Sequence, residues 1–291
     1  MNILIRYAGG KNKISDTLID RILKFYSVNG FDYEFREPFF GAGSVGIRLL
    51  ERSKRVNKIC INDFDIGMAS IWTAVITQPE ELIARLKVFT PTTDAFYDFK
   101  AKLLAWQCNE YNLELAFMKI AVHQMSYSGL GTKAGGPIGG KNQESDYSVD
   151  CRWSIPHLSK VIRRCNALFS DRNFRENRCL SSDFEVLIKE SGKAFLYLDP
   201  PYYEKGPELY QFFFSEHDHF RLSHALQGTD QPWLLSYDNC VAIKKIYDWA
   251  EFIEIPMNYT INTSRAKSEL LITSKKYKNL LKDPNEIVDL F

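Results

Sequence analysis

The sequence lacks the features that would place it in several special classes of protein. No run of about 18 apolar residues is present, and a bilayer-spanning helix needs about 20. The N-terminus has too few apolar residues for a secretion signal, and no internal repeat or low-complexity tract is visible. We therefore expect a globular cytoplasmic protein.

Cysteine pairs and excess charge are also missing. The six cysteines lie far apart without a C-x-x-C pair, which argues against a zinc ribbon and a compact disulfide framework. His217 and His219 look like a metal pair, but no third ligand is evident and they follow Ser215, so we predict a helix N-terminus there and no metal. The net charge of +1 says little about a polyanionic partner, because binding depends on where charges cluster.

The chain has 291 residues with 45% hydrophobic and 25% charged content, which is typical of a folded protein with a sizeable core. Three β-prone runs, 33–40, 58–65 and 193–203, end in residues able to do chemistry. Between the first two, helical spacing over 44–55 predicts a helix with Ser44 available as its cap.

Strands and helices alternate again from about residue 181, which indicates a mostly parallel sheet covered by helices on both faces. The fold class we predict is α/β, with a doubly wound Rossmann-like sheet. Residues 1–65 and 180–291 would form this domain. Residues 66–179 would form an insertion of helices and a glycine-rich loop, in which 152–178 carries seven basic residues suited to phosphates or to a solvated helix face.

A glycine turn stands between the first predicted strand and its helix. In Gly41-Ala42-Gly43 the glycines let a ligand approach the backbone closely, although a purely structural turn has the same composition. Asp63 follows about 20 residues later at a strand end, where an acid accepts hydrogen bonds from a ribose diol. The pair indicates a nucleoside site. Asp65 is an alternative ribose ligand. NAD or FAD also stays open as the ligand, because Gly46 stands in the place of the third glycine of the dinucleotide fingerprint.

The tetrapeptide Asp199-Pro200-Pro201-Tyr202 directly follows an apolar strand. Its prolines keep the backbone extended and donate no N–H, which leaves the Asp199 carboxylate and the Pro200 carbonyl as a rigid pair of acceptors. Such a pair suits an exocyclic amine, whose lone pair it would aim at an electrophilic methyl group. Tyr202 would stack on a base rotated out of a duplex. A loop aspartate at a proline-rich strand end is the structural alternative.

These motifs give the chain a resemblance to the Dam-like N6-adenine DNA methyltransferases, which use S-adenosylmethionine (AdoMet). Five segments occur in the family's order: Tyr7-Ala8-Gly9-Gly10-Lys11 is similar to W-A-G-G-K, Glu37 to Ser44 to E-P-F-V-G-A-G-S, Asn62 to Asp65 to the acidic second motif, Asp199 to Tyr202 to the catalytic tetrapeptide, and Arg265 to Ile272 to R-x-K-x-x-E-L-L.

The resemblance implies a bacterial or phage-encoded enzyme with a class I methyltransferase sheet, in which the insertion recognises the target. It also implies AdoMet as the cofactor and double-stranded DNA as the partner, and we expect a monomer in solution. An aromatic ring such as Tyr7 or Phe39 can approach the sulfonium, and Lys11 can pair with the methionine carboxylate. The expected cofactor-binding residues are Tyr7, Lys11, Phe39, Phe40, Gly41, Ala42, Gly43, Ser44, Asp63, Asp183, Phe184 and Asp199, and the catalytic ones are Asp199, Pro200, Pro201 and Tyr202.

Two other functions share this scaffold, an amino-methyltransferase for RNA or cytosine N4 and a catalytically dead nucleic-acid-binding relative. The long interval between Gly43 and Asp199 leaves room for target recognition and favours DNA, because related RNA enzymes place the tetrapeptide nearer the glycine turn. A dead relative would have a damaged site, whereas Lys11, Asp63 and the tetrapeptide are all present. Neither the recognition sequence nor the use of the mark, such as restriction protection, follows from the sequence.

Residues 127–132 resemble the family's Y-N-G-L-C-R segment, but Thr132 replaces the arginine. An arginine bidentate to guanine is worth about 1–3 kcal/mol of discrimination, and threonine cannot form that contact. The residues expected to bind DNA are Tyr127, which would fill the space left by the rotated base, Thr132, the substitute base readers Arg6 and Lys133, and the phosphate ligands Arg152, Arg163 and Arg164.

We therefore predict that recognition differs from the GATC site of the best-known relatives, with adenine still the target. The measurement is long-read sequencing of DNA from an unmethylated host that expresses the protein. Modification confined to GATC would refute the inference from Thr132.

Overall fold

A seven-stranded sheet forms the centre of the protein. The computed structural model describes residues 4–5, 11, 14–171, 178–257 and 267–283. The strands are β1 (Glu34–Glu37), β2 (Ile59–Asn62), β3 (Arg178–Leu180), β4 (Ala194–Leu198), β5 (Trp233–Asp238), β6 (Glu251–Met257) and β7 (Lys267–Thr273). Their order in the sheet is β3-β2-β1-β4-β5-β7-β6.

The first five strands pair in parallel, and β7 runs antiparallel to both β5 and β6. The strand order reverses between β1 and β4, since β2 and β3 lie on one side of this pair and β5 on the other. This arrangement confirms the predicted doubly wound, Rossmann-like methyltransferase fold.

Eleven α-helices surround the sheet within the described residues. They are α1 (Ser15–Asn29), α2 (Gly46–Arg52), α3 (Ile66–Thr77), α4 (Pro79–Lys87), α5 (Thr93–Leu104), α6 (Leu113–Met125), α7 (Ile155–Ser170), α8 (Phe184–Lys189), α9 (Gly206–Leu209), α10 (Glu216–Gln227) and α11 (Val241–Ile246). No helix in these ranges has both the length and the apolar composition needed to cross a bilayer.

Alternating side chains of the central strands build two hydrophobic cores. In β4, Phe195 and Tyr197 pack on the face covered by α1 to α7, and Leu196 and Leu198 pack on the face covered by α8, α10 and α11. This period of two follows from the pleat of a strand that is buried on both faces. The helices between residues 66 and 170 thus share their core with the sheet, and the boundaries of a separate recognition unit remain a prediction.

Three details differ from the sequence-based expectations. Helix α1 was not expected, although Leu18, Ile22 and Phe25 have helical spacing and are buried. Strand β3 starts inside the segment assigned to the insertion. The prediction that Ser44 caps α2 is wrong, because Val45 occupies the N-cap position and no side chain caps this helix.

Arg36 fastens β1 to the end of α8. Its guanidinium is buried and donates hydrogen bonds to the carbonyl oxygens of Leu187, Glu190 and Ser191 at 2.8–3.1 Å and to the Glu34 carboxylate at 2.6 Å. The last carbonyls of a helix have no partners within the helix, so a cation placed there satisfies them. The contact fixes α8, whose first residue is the pocket residue Phe184.

We predict that Arg36→Leu lowers the free energy of unfolding by about 3–5 kcal/mol, because it leaves buried acceptors without a donor. Urea titration measures the change. Arg52→Leu is the matched control, since Arg52 pairs with Asp20 at the surface and its loss should change stability by about 1 kcal/mol or less. Equal losses in the two variants would contradict the structural role of Arg36.

Candidate active site

A pocket of about 360 Å³ opens at the carboxyl ends of the parallel strands, beside the point where the strand order reverses. Open α/β sheets bind ligands in such a crevice. The walls come from the segments that follow four strands and from the loop before α10: residues 37–42 and 44–45 after β1, 62–65 after β2, 182–184 after β3, Asp199 and Pro201 after β4, and 210–214 of the loop.

The predicted glycine turn forms one wall of this pocket. Gly43 has a φ of +71°, and a Cβ atom there would lie 2.9 Å from the Phe40 ring. A Cβ at Gly46 would lie 2.5 Å from Glu37 Oε2, so glycine lets α2 approach the end of β1. The turn is further held by Trp72, whose indole Nε1 donates to the Gly41 carbonyl at 2.8 Å. Among the predicted cofactor residues on this turn, Phe40, Gly41, Ala42 and Ser44 line the pocket.

Asp63 and Asp65 both line the pocket, in different environments. The Asp63 carboxylate accepts from the backbone N–H groups of Gly41 at 2.9 Å and Asp65 at 3.0 Å. The Asp65 carboxylate caps α3 by accepting from Gly67 N and forms a buried ion pair with Lys119. Asp65 is thus occupied by structural partners, while Asp63 fastens the acidic segment to the glycine turn.

Lys11 lies at the centre of a buried polar cluster. Its Nζ donates to Asp199 Oδ1 and to the Tyr202 hydroxyl, both at 2.6 Å, and lies 3.5 Å from the Glu269 carboxylate. The Tyr202 hydroxyl donates in turn to Glu269 at 2.7 Å. Burial alone would lower the pKa of Lys11, but the carboxylates of Asp199 and Glu269 raise it above its ordinary value, so the ammonium stays charged.

Asp199 and Lys11 both line the pocket, and Asp199 is the more exposed of the two, with 20% of its side chain exposed against 1% for Lys11. Burial raises its pKa to about 6, and Lys11 opposes that rise. Tyr202 and Pro200 are not among the residues that line the pocket. The turn that follows is held by Asp238, whose two carboxylate oxygens accept from Tyr203 N and Glu204 N at 3.0 Å each.

Glu37 is a buried acid of the pocket wall that the sequence-based site did not include. Its Oε2 has no hydrogen-bond partner in the described part of the chain. Burial and the nearby Asp199 raise the pKa of Glu37 well above its ordinary value. A buried carboxylate oxygen without a partner is costly unless a cation or donor reaches it, so the pocket offers a place for a positive group.

Aromatic rings form the opposite side of the pocket. The Phe39 ring packs against Phe184 and Phe214 with ring centroids 5.6 Å apart in both pairs. Phe64 and Phe212 meet edge to face at 5.5 Å, and both are largely exposed. Phe64 directly follows Asp63, and its place at a strand end is the signal by which the sequence could have indicated it.

Asp183 is placed at the start of α8. Its carboxylate caps this helix by accepting from Glu185 N and pairs with Arg221 at 3.0 Å, while the Phe184 ring is buried below. Arg221 also bonds Asp218, the residue that closes a capping box with Ser215. The predicted helix N-terminus at residues 215–219 is therefore confirmed, and the described residues hold no group of three or more His, Cys, Asp or Glu side chains suited to a metal.

The predicted DNA-binding residues have different surroundings. Tyr127 is 68% exposed, and Lys133 is exposed with its Nζ 5.7 Å from the Phe213 ring centroid. Thr132 is buried, and its hydroxyl donates to Gln211 at 2.7 Å. Arg152 is exposed.

Arg163 and Arg164 are bound to carboxylates of other helices. Arg163 donates two hydrogen bonds of 2.7 Å to Glu80 on α4, and Arg164 pairs with Glu51 on α2. The predicted residues Arg6 and Tyr7, and Arg265 of the C-terminal motif, lie outside the described residues.

The pocket lies at the switch point of the sheet, with Asp199 and Pro201 in its wall, and this is the place where α/β folds of the nucleotide-binding class hold their ligands. Comparison with known proteins identifies the reaction. The model of the D12 class N6 adenine-specific DNA methyltransferase family matches residues 7–261. The chain belongs to this family and is an adenine-specific DNA methyltransferase. A search of curated proteins gave no match.

The Asp63 carboxyl in the pocket should make the stability of the free protein depend on pH. Burial and the neighbouring Asp65 raise the pKa of Asp63 to about 7 from the ordinary value of 3.8. The folded state thus binds a proton that the unfolded state releases, so the stabilisation is complete below about pH 4 and is lost as pH rises through about 7.

We predict that the unfolding temperature of the wild type falls relative to that of Asp63→Asn between pH 5 and 8, measured by calorimetry without cofactor. Asp16→Asn is the control. Arg48 lowers the pKa of Asp16, so its contribution to stability is lost only as pH falls below about 4 and stays constant in this window. Parallel curves for wild type and Asp63→Asn would contradict the assignment.

Proposed function

We propose that the protein transfers the methyl group of AdoMet to N6 of an adenine rotated out of double-stranded DNA, and that Asp199 to Tyr202 carry the reaction. The observation that supports this most is the position of Asp199. It stands at the end of β4 in the wall of the same pocket as the glycine turn and Asp63, with its carboxylate oriented by the charged Lys11.

The charge and the aromatic lining of the pocket support AdoMet as the cofactor. AdoMet carries an ammonium and a sulfonium, and the unpartnered Glu37 oxygen is a suitable acceptor for the ammonium. Asp63 would accept from the ribose hydroxyls, because it is half-buried and its partners are backbone N–H groups, whereas Asp65 is buried and paired with Lys119. Phe39, Phe64 and Phe184 would pack against the adenine and the sulfonium, where a cation over an aromatic face gains about 0.5–2 kcal/mol. When bound, AdoMet supplies an electrophilic methyl group.

The side chains at the mouth would prepare the amine. Asp199 and the Pro200 carbonyl would accept the two N6–H bonds and turn the nitrogen lone pair toward the methyl group, so that positioning supplies much of the acceleration. The Lys11 ammonium keeps Asp199 ionised near neutral pH, since it opposes the rise in pKa that burial causes. The methylated nitrogen is then strongly acidic, and an Asp199 carboxylate with a pKa of about 6 can take its proton.

Lys11 and Tyr202 have positioning roles in this scheme. The contacts of Lys11 with Asp199, Tyr202 and Glu269 support a role in orienting Asp199, in place of a bond to the methionine carboxylate. The Tyr202 hydroxyl is held by Lys11 and Glu269, which would fix its ring for stacking on the rotated base.

DNA would approach from the side of residues 66–179, with the two flanking segments serving catalysis. Tyr127 is exposed enough to enter the space that the rotated base leaves. Lys133 and Arg152 are exposed cations for which no ion pair is found among the described residues, and this favours them over Arg163 and Arg164 as phosphate ligands. We infer a monomer as the acting unit.

The function is tested by incubating the purified protein with AdoMet and duplex DNA, followed by mass spectrometry of the nucleosides. N6-methyladenine is the expected product. N4-methylcytosine, or methylation of RNA alone, would contradict the proposal.

We predict that Asp199→Ala slows single-turnover methylation far more than tenfold, because the amine loses its main acceptor, while AdoMet binding measured by calorimetry survives at least partly. Asp199→Asn keeps one acceptor and a similar volume, and it separates this role from loss of the fold. Asp230→Ala, which removes an exposed carboxylate, is the control and should behave as wild type. A rate for Asp199→Ala within about tenfold of wild type, or about 1.4 kcal/mol of barrier, would rule out the role.

A further inference from the structure

Gln211 connects the loop that carries Thr132 to the main pocket. It lies in the loop before α10 and lines both the main pocket and a small adjoining cavity of about 20 Å³, which has room for one water molecule. The small cavity is also lined by His123, Leu130 and Thr132. Gln211 therefore lies on the side of the pocket that faces the segment expected to recognise DNA.

Two donors fix the orientation of the Gln211 amide. Its Oε1 accepts from the Thr132 hydroxyl at 2.7 Å and from Lys119 Nζ at 3.3 Å. Lys119 is itself held by the buried ion pair with Asp65. Because the Lys119 ammonium can only donate, the Gln211 oxygen must face it, and a reversed amide would lose this bond. The Gln211 nitrogen is therefore held on the other side.

The Nε2 group of Gln211 has two N–H bonds, and no acceptor for them is found among the described residues. Gln211 is only half-buried. An oriented donor pair at a pocket wall suits a ligand that presents an unprotonated nitrogen or an oxygen. The purine ring of adenine presents such nitrogens, and its exocyclic amine would be bound by Asp199 in the same pocket.

Thr132 takes a different role from the one expected of it. Its side chain is buried, and its hydroxyl is already used as a donor to Gln211. It therefore cannot contact a base edge in this arrangement. It can orient Gln211, which lies one step closer to the pocket.

We infer that Gln211 binds the target adenine by donating from Nε2 to one of its ring nitrogens, and that Thr132 and Lys119 are positioning residues for this contact. This inference rests on the proposed function, because it places the rotated adenine in the pocket. The target base is favoured over the cofactor adenine, since Gln211 borders the small cavity beside Thr132 and Leu130, whereas Phe39, Asp183 and Phe184 form a separate wall.

The inference is tested with duplexes that contain the recognition motif found by sequencing. The target position carries adenine, 1-deazaadenine, 3-deazaadenine or 7-deazaadenine, each of which removes one ring nitrogen. Single-turnover rates at saturating AdoMet are compared for wild type and Gln211→Ala. We expect one deaza base to slow the wild type about three- to tenfold, as the loss of one hydrogen bond would. Gln211→Ala should methylate adenine more slowly than the wild type by a similar factor. The deaza base that slows the wild type should not slow Gln211→Ala any further.

Thr132→Val keeps the volume but removes the hydroxyl donor, so it should show a smaller loss confined to the same ring position. Gln107→Ala, which changes an exposed glutamine, is the matched control and should respond to all four bases as the wild type does.

The inference would be overturned if each of the three deaza bases slowed Gln211→Ala by the same factor as it slows the wild type. A Gln211→Ala rate equal to that of the wild type on adenine would also overturn it. Weakened AdoMet binding in calorimetry with an unchanged rate at saturating AdoMet would also overturn it and assign the amide to the cofactor. Absence of adenine methylation by the wild type would instead contradict the proposed function itself, so the two failures are distinguishable.

Discussion

The buried ammonium of Lys11 is the interaction on which the rest of the site depends. It joins Asp199 and Tyr202 after β4 to Glu269 on β7, and all three partners lie within 3.5 Å of one nitrogen. A buried charge is tolerated only when its hydrogen bonds are well formed, because removing one member of a buried ion pair leaves the other charge uncompensated and strongly destabilises the protein. The cluster therefore has little freedom, and the orientation of Asp199 follows from it.

The free pocket holds more carboxylates than cations. Glu37, Asp63 and Asp199 all have raised pKa values, and burial is the largest cause in each. A cationic ligand would stabilise the ionised form of these acids, so its binding and their ionisation favour each other. The raised pKa values thus favour a positively charged ligand, in agreement with the AdoMet of the proposed function.

The segment between β4 and α10 connects the pocket with the loop that carries Thr132. It begins at the Asp199 to Tyr202 tetrapeptide, continues through Gln211 to the Thr132 contact, and ends at Phe214 against Phe39. Asp238 holds its first turn from the neighbouring strand β5. A change at Thr132 can therefore reach the pocket wall at Gln211 through a direct hydrogen bond.

Much of this protein was determined by local patterns in its sequence. The alternation of apolar strands and amphipathic helices predicts the doubly wound sheet, and strand-end motifs predict Asp63 and Asp199 as pocket residues, because the carboxyl ends of parallel strands meet at one edge. The capping box at Ser215 is equally local, since its partners are three residues apart.

Other features were decided only by the tertiary structure. The Lys11 partner Asp199 is 188 residues away in sequence, Gln211 is 79 residues from Thr132, and Arg163 pairs with Glu80 across 83. No local pattern records such pairings, because the periodicity of a segment reports which face is buried and not which distant group it meets. Burial likewise decides that Thr132 orients another side chain and that Glu37 has an unpartnered oxygen, since exposure depends on the packing of the whole chain.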